Sequence, residues 1–211
     1  MRPRLVALQL RAEAAPWRAA GFSVDRTGRC RIGTTDLTLP GGEGGFAGWA
    51  LSDVIPADDG IDGVPTTVVP TSSPTPSPRH PNTVSAIDHV VVATPDTART
   101  FETLEAAGFE LRRVRDASPA GDDSGRTLRQ GFFLFTDVLL EVVGPPEPAP
   151  GTAADPAQLW GITLVADDLD AAATAEYVGA PRDAVQPGRR IANIDRAAGL
   201  GVRVALMSPR T

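Results

Sequence analysis

Lysine is missing from this chain: all 20 basic residues among its 211 are arginine. Set against 26 acidic residues they leave a net charge of -6. Phosphate binding needs a concentrated basic face, and none is visible, so nucleic acid is not an expected partner. Cysteine occurs once, at Cys30, which excludes an internal disulfide framework and any multi-cysteine metal site. No apolar run approaches the ~18 residues that span a bilayer. Residues 1–10 carry only a short apolar stretch, with no cleavage pattern after it. No membrane partner is therefore expected, and the expected compartment is the cytoplasm. Hydrophobic content of 42% and charged content of 22% are those of an ordinary soluble globule, and the length suits one large domain or two small ones.

What the chain does have is proline in two dense breaks. Residues 65–81 read PTTVVPTSSPTPSPRHP, too rich in Pro, Ser and Thr for a packed core, and so an extended linker. A second break covers 144–156. The organisation expected from these is a truncated module-like piece at 1–55, a linker at 56–82, a central module at 83–147 and a C-terminal module at 157–211.

The central module is the most legible. Residues 87–93 (IDHVVVA) form a β-branched strand. A helix should follow, capped by Thr94 with Pro95 at its first position, carrying Ala98, Phe101 and Leu104 at helical spacing and stopping at Gly108. Strands are expected at 110–115, 129–135 and 138–143, with a polar loop at 118–126 and a turn at Thr136-Asp137. The last module repeats this order. A strand at 159–165 leads into a helix capped by Asp167-Asp168 and running through Leu169, Ala172, Ala173 and Tyr177. Strands follow at 184–185, 190–194 and 202–207. HVVVATPD (89–96) lies over GITLVADD (161–168), and LEVVGP (140–145) over VALMSP (204–209). The first piece looks like a trimmed copy, with a strand at 5–10, a helix at 12–20 and a hairpin of 30–32 with 36–39. It shares AAGF (19–22) with the central module (106–109). A unit of one helix and four strands shields only one sheet face with its helix, so the other face must meet a second unit. The expected fold is α+β: paired βαβββ modules forming a curved mixed sheet with helices on the outer face, plus the shorter N-terminal piece. Its concave surface is a natural small-molecule pocket.

With IDHVVVATPD on a first strand and LLEVVGP on a last strand, residues 83–211 resemble the vicinal oxygen chelate superfamily of glyoxalase I, extradiol dioxygenases and bleomycin resistance proteins. That resemblance implies a His or Gln ligand on a module's first strand and a Glu on its last, around one divalent ion (Zn, Ni, Mn or Fe) with open positions for substrate oxygens. Here the candidates are His89 and Glu141. The last module has Gly161 and Ala205 at the matching places, and neither coordinates metal. On the last strand of the first piece, Thr38 or a neighbour stands there.

Trp160, Phe133 and Arg190 are the candidate substrate contacts. His80 reads as a solvated linker residue, with an extra ligand as the other reading; Arg189 and Arg190 as turn charges or an anion receiver. Gly41 to Gly45 lack the helix and Lys of a phosphate loop. Cys30 is expected to be structural, and Trp17 and Trp49 to be core or pocket wall. Three functions are consistent with this: a glyoxalase-like protein that binds a small molecule between modules with a degenerate metal site; a metal-dependent lyase or dioxygenase whose site is completed in a homodimer by 2 × (His89 + Glu141); or a non-catalytic scaffold.

Overall fold

The structure, a computed structural model, describes residues 2–55, 60–71, 73, 75, 77–117, 127–152 and 154–210; the loop expected at 118–126 lies outside them. The fold is α+β, with mixed sheets and few helices. Two compact units divide it: Met1–Leu5, Gly48–Thr71 and Val90–Trp160 form the first, and Val6–Ala47, Ser72–His89 and Gly161–Thr211 the second. Among the described residues no helix is long and apolar enough to cross a membrane.

The first unit holds most of the central module. Its elements are β6 (Val84–Ala93, of which Val90 onward lies in this unit), α2 (Thr97–Ala106), β7 (Glu110–Ala117), β8 (Leu128–Leu134) and β9 (Leu139–Gly144). The strand order is β6-β9-β8-β7. The cap of α2 is Asp96, whose side chain accepts from the Arg99 N–H, two residues after the expected Thr94. Thr94 instead donates to the Asp96 carbonyl and accepts from the Asp96 N–H, so Pro95 stays outside the helix. Helix α2 lies close on β8 because Gly131 has no side chain: a Cβ there would stand 2.4 Å from the Phe101 ring.

The second unit holds the C-terminal module: β10 (Gln158–Ala166, from Gly161 onward), α3 (Leu169–Ala172), β11 (Arg182–Asp183), β12 (Arg190–Asn193) and β13 (Arg203–Met207), in the order β10-β13-β12-β11. Strands β10 and β13 run parallel, β12 and β13 antiparallel. The cap of α3 is Asp168, accepting from the Ala171 N–H, so the two modules start their helices by the same bond at aligned positions. The helix itself is one turn, and Tyr177 lies beyond it, exposed; an alanine run without large apolar residues at i+3 and i+4 has too little to bury.

The N-terminal piece contributes β1 (Arg4–Arg11), α1 (Ala14–Ala19), β2 (Arg29–Ile32) and β3 (Thr35–Thr38), with β2 and β3 as the expected hairpin and β3 parallel to β1. Sequence reading did not anticipate β4 (Gly45–Ser52) and β5 (Thr66–Val68), which pair in parallel in the first unit. Gly48 there has φ +155 and passes so near the Pro65 carbonyl oxygen that a Cβ would come within 2.5 Å. Glycine-rich and proline-rich stretches carry no strand periodicity, which is why this pair was hidden. Trp17 is fully buried and donates to the Leu200 carbonyl at 3.1 Å. Trp49 donates to Thr66 Oγ1 at 2.7 Å.

Candidate functional site

Along β8 and β9 the side chains alternate between two faces. Phe133, Leu140 and Val142 are 0% exposed, and Phe133 packs edge-on against Phe101 of α2 at 5.5 Å between centroids. Phe133 therefore belongs to the core beneath the helix, which corrects its expected substrate contact. The ring on the opposite face is Phe132, directly across from Glu141. On that face Arg115 Nε donates to Gln130 Oε1 at 2.6 Å, and Gln130 Nε2 donates to Glu141 Oε1 at 2.6 Å. The Arg115 guanidinium stands 5.5 Å from the centre of the Phe132 ring, within cation–π range. Gln130, Phe132 and Glu141 are all part-exposed, so this is a polar chain on a face that water reaches.

The second unit holds another polar chain, centred on His89. Asp88, the residue before it, is buried, and its Oδ2 lies 2.9 Å from His89 Nδ1. The other oxygen, Oδ1, accepts from Arg189 Nη1 at 2.6 Å. Burial alone would raise the Asp88 carboxyl, but the hydrogen bonds from His89 and then Arg189, with their charge, hold it at about 2. A carboxylate can only accept, so Nδ1 carries the hydrogen. In the neutral ring Nε2 is then the acceptor, and Thr163 Oγ1, at 2.9 Å, donates to it. His89 keeps 13% of its side chain exposed, whereas Asp88 and Arg189 keep 3% and 4%.

Arg190, another expected contact, pairs elsewhere. Arg190 makes an exposed two-pronged pair with Asp170 of α3 at 2.9 and 2.5 Å; the neighbouring Arg189 is the buried one. Trp160, also an expected contact, lies in the first unit and is 48% exposed. His80 is not solvated in this structure. It is buried, with Nδ1 accepting from the Ser23 N–H at 2.9 Å and Nε2 placed 2.9 Å from the Arg31 carbonyl. Cys30 is fully buried, and burial, aided by Asp36 and Asp25, pushes its thiol up to about 12. On β3, Asp36 is a carboxylate the sequence reading passed over, but Arg29 and Arg31 both hold it.

The divalent ion implied by the family resemblance can be tested against these donors. His89 and Glu141 fall in different units, and both nitrogens of His89 have protein partners. Among the described residues no three His, Cys, Asp or Glu side chains come together as a metal-holding group. A catalytic divalent centre takes three protein ligands, and the described residues of one chain do not supply them.

No protein-family model matches the sequence, and none of the curated proteins does. Among solved structures, a xylose isomerase-like TIM barrel/4-hydroxyphenylpyruvate dioxygenase fusion protein superposes over 100% of this chain and 49% of its own, with TM-score 0.60 and 10% identity. The chain has a vicinal oxygen chelate fold. Methylmalonyl-CoA epimerase from Mycobacterium tuberculosis matches 61% of this chain and 91% of its own at TM-score 0.45 and 19% identity. The Streptomyces coelicolor epimerase in complex with 2-nitronate-propionyl-CoA matches 59% and 97% at TM-score 0.44 and 20% identity. On this vicinal oxygen chelate scaffold the residues missed from sequence are Asp88, Thr163 and Gln130. One signal for Asp88 was present, a carboxylate beside a histidine inside an apolar strand, which needs a buried partner.

Proposed function

We propose that the protein binds a small organic molecule at the His89 patch, without a metal ion. The observation supporting this is the buried chain Arg189–Asp88–His89–Thr163, which ends on a part-exposed imidazole. The buried Asp88 charge fixes the ring's tautomer and orientation, and the Thr163 hydroxyl, whose hydrogen goes to Nε2, keeps oxygen lone pairs that can accept from a ligand group. The Arg115–Gln130–Glu141 chain keeps a second polar strip part-exposed on the sheet face away from α2, which is consistent with a ligand-facing surface.

The test combines metal analysis of the purified protein with a thermal-shift screen of small molecules on wild type, His89→Ala and Glu141→Ala. The expected result is no stoichiometric divalent ion, together with stabilising ligands whose effect disappears in His89→Ala. A divalent ion bound once per chain or per chain pair and lost in His89→Ala would replace this reading with a metalloenzyme. An absence of any His89-dependent ligand would leave the scaffold.

A further inference from the structure

Arg189 is 4% exposed, and three of its contacts are fixed. Its Nε donates to the Ser208 carbonyl at 2.8 Å, and its Nη1 donates to Asp88 Oδ1 and to Gln186 Oε1, each at 2.6 Å. The remaining nitrogen, Nη2, is buried with no hydrogen-bond partner, the one such buried side-chain atom found among the described residues. A buried guanidinium arm with both hydrogens idle is costly, and charged groups are the costliest to leave so. A purely structural arginine would have had that arm satisfied, as its other nitrogens are.

The charge around it has the same sense. Asp88 is the carboxylate that Arg189 holds, and a second guanidinium, Arg210, approaches the same oxygen to 3.9 Å with 69% of its side chain exposed. Two full positive charges thus face one carboxylate already engaged by His89. Of these three charged groups the surplus is one positive charge, and Arg210 is the exposed member.

We infer that Arg189 Nη2, with Arg210, forms the anion-receiving end of the His89 site, so that the ligand carries a carboxylate or phosphate group. The inference rests on the binding proposed above and narrows its ligand to anions. An anionic oxygen on Nη2 would complete the guanidinium's hydrogen bonds, while Arg210, exposed beside the same carboxylate, supplies long-range attraction. The ligand oxygen takes over a donor that the protein leaves unused, so no protein bond is broken on binding.

The experiment is a pair of titrations at constant ionic strength, with acetate and with inorganic phosphate, followed by NMR at the Arg189 Nε–H. That proton is held by the Ser208 carbonyl and reports directly on the site. The expected result is a saturable shift with one of the two anions, which also separates a carboxylate site from a phosphate site. Affinity should fall about tenfold in Arg189→Gln, for the loss of a charge-assisted hydrogen bond. Arg189→Gln leaves Asp88 without its main cation and can fail to fold, so Arg210→Gln serves alongside it, with severalfold weaker binding on an intact fold. No saturable shift at Arg189 with either anion would overturn the inference, an ordered water then filling the place. If uncharged molecules still bind in a His89-dependent way while neither anion does, the anion site falls and the binding proposal stands.

Discussion

Asp88 and His89 are consecutive in the chain, and the carboxylate of the first accepts the Nδ1 hydrogen of the second at 2.9 Å. A single buried charge therefore decides which nitrogen of its own neighbour presents a lone pair. The same carboxylate is neutralised by Arg189, 101 residues further on, so the imidazole is oriented by a pairing that depends on the fold being complete.

Removing that charge should cost the fold heavily. Asp88→Asn leaves a buried guanidinium without its counter-charge, and breaking such a pair by one partner costs about 3–5 kcal/mol. Urea unfolding of wild type and variant measures it; a loss below about 1 kcal/mol would mean water already screens the pair.

Acid should act through the same group. The folded-state pKa of Asp88, about 2, lies below its ordinary value of 3.8, so the folded protein binds this proton less readily than the unfolded chain. Its stabilisation is complete above the ordinary value and is lost as pH falls from there through about 2. Unfolding midpoints between about pH 5 and 2 should show this slope in wild type and a shallower one in Asp88→Asn.

His80 predicts a separate and milder effect. A backbone N–H can only donate, so Nδ1 must stay unprotonated to accept from Ser23, and Nε2–H donates to Arg31. Burial lowers the His80 pKa, only partly opposed by the Arg31 carbonyl. The unfolded chain then takes up the proton first, and stability falls as pH drops below the ordinary imidazole value of about 6.5. His80→Ala should be less stable throughout but lack this part of the slope. An unchanged slope in the variant would assign it elsewhere.

The adjacent phenylalanines should differ in what they contribute to stability. Phe133→Ala empties a site that is 0% exposed beneath α2 and should cost about 3–5 kcal/mol. Phe132→Ala, on the part-exposed face, should cost far less and leave the thermal midpoint near that of wild type. Equal losses would show that both rings are core.

Cys30 should be inert in the folded protein. With the thiol buried and raised to about 12, almost no thiolate exists at neutral pH. Iodoacetamide should label it only after unfolding, at a rate set by opening of the fold; rapid labelling of the native protein would contradict its burial.

The sequence by itself determined the repeated unit. Aligning 89–96 over 161–168 matched Asp96 to Asp168, and both cap a helix by accepting the N–H three residues on. Strand alternation is encoded within a few residues, so the alignment paired the two aspartates, although Thr94 and not Asp96 was the cap expected for the central helix. Strands β4 and β5 escaped because glycine and proline carry no periodicity, although their backbones pair once neighbours supply the partner. Orientation and partnership were decided only by tertiary structure. In Gly131-Phe132-Phe133 either ring could face the helix until Phe101 was seen on the Gly131 side. In the Arg189-Arg190 pair either guanidinium could be the buried one until Asp88 claimed the first and Asp170 the second. Alternation fixes that neighbours point apart, but which of them finds a charge across a hundred residues is a property of packing, and no local pattern records it.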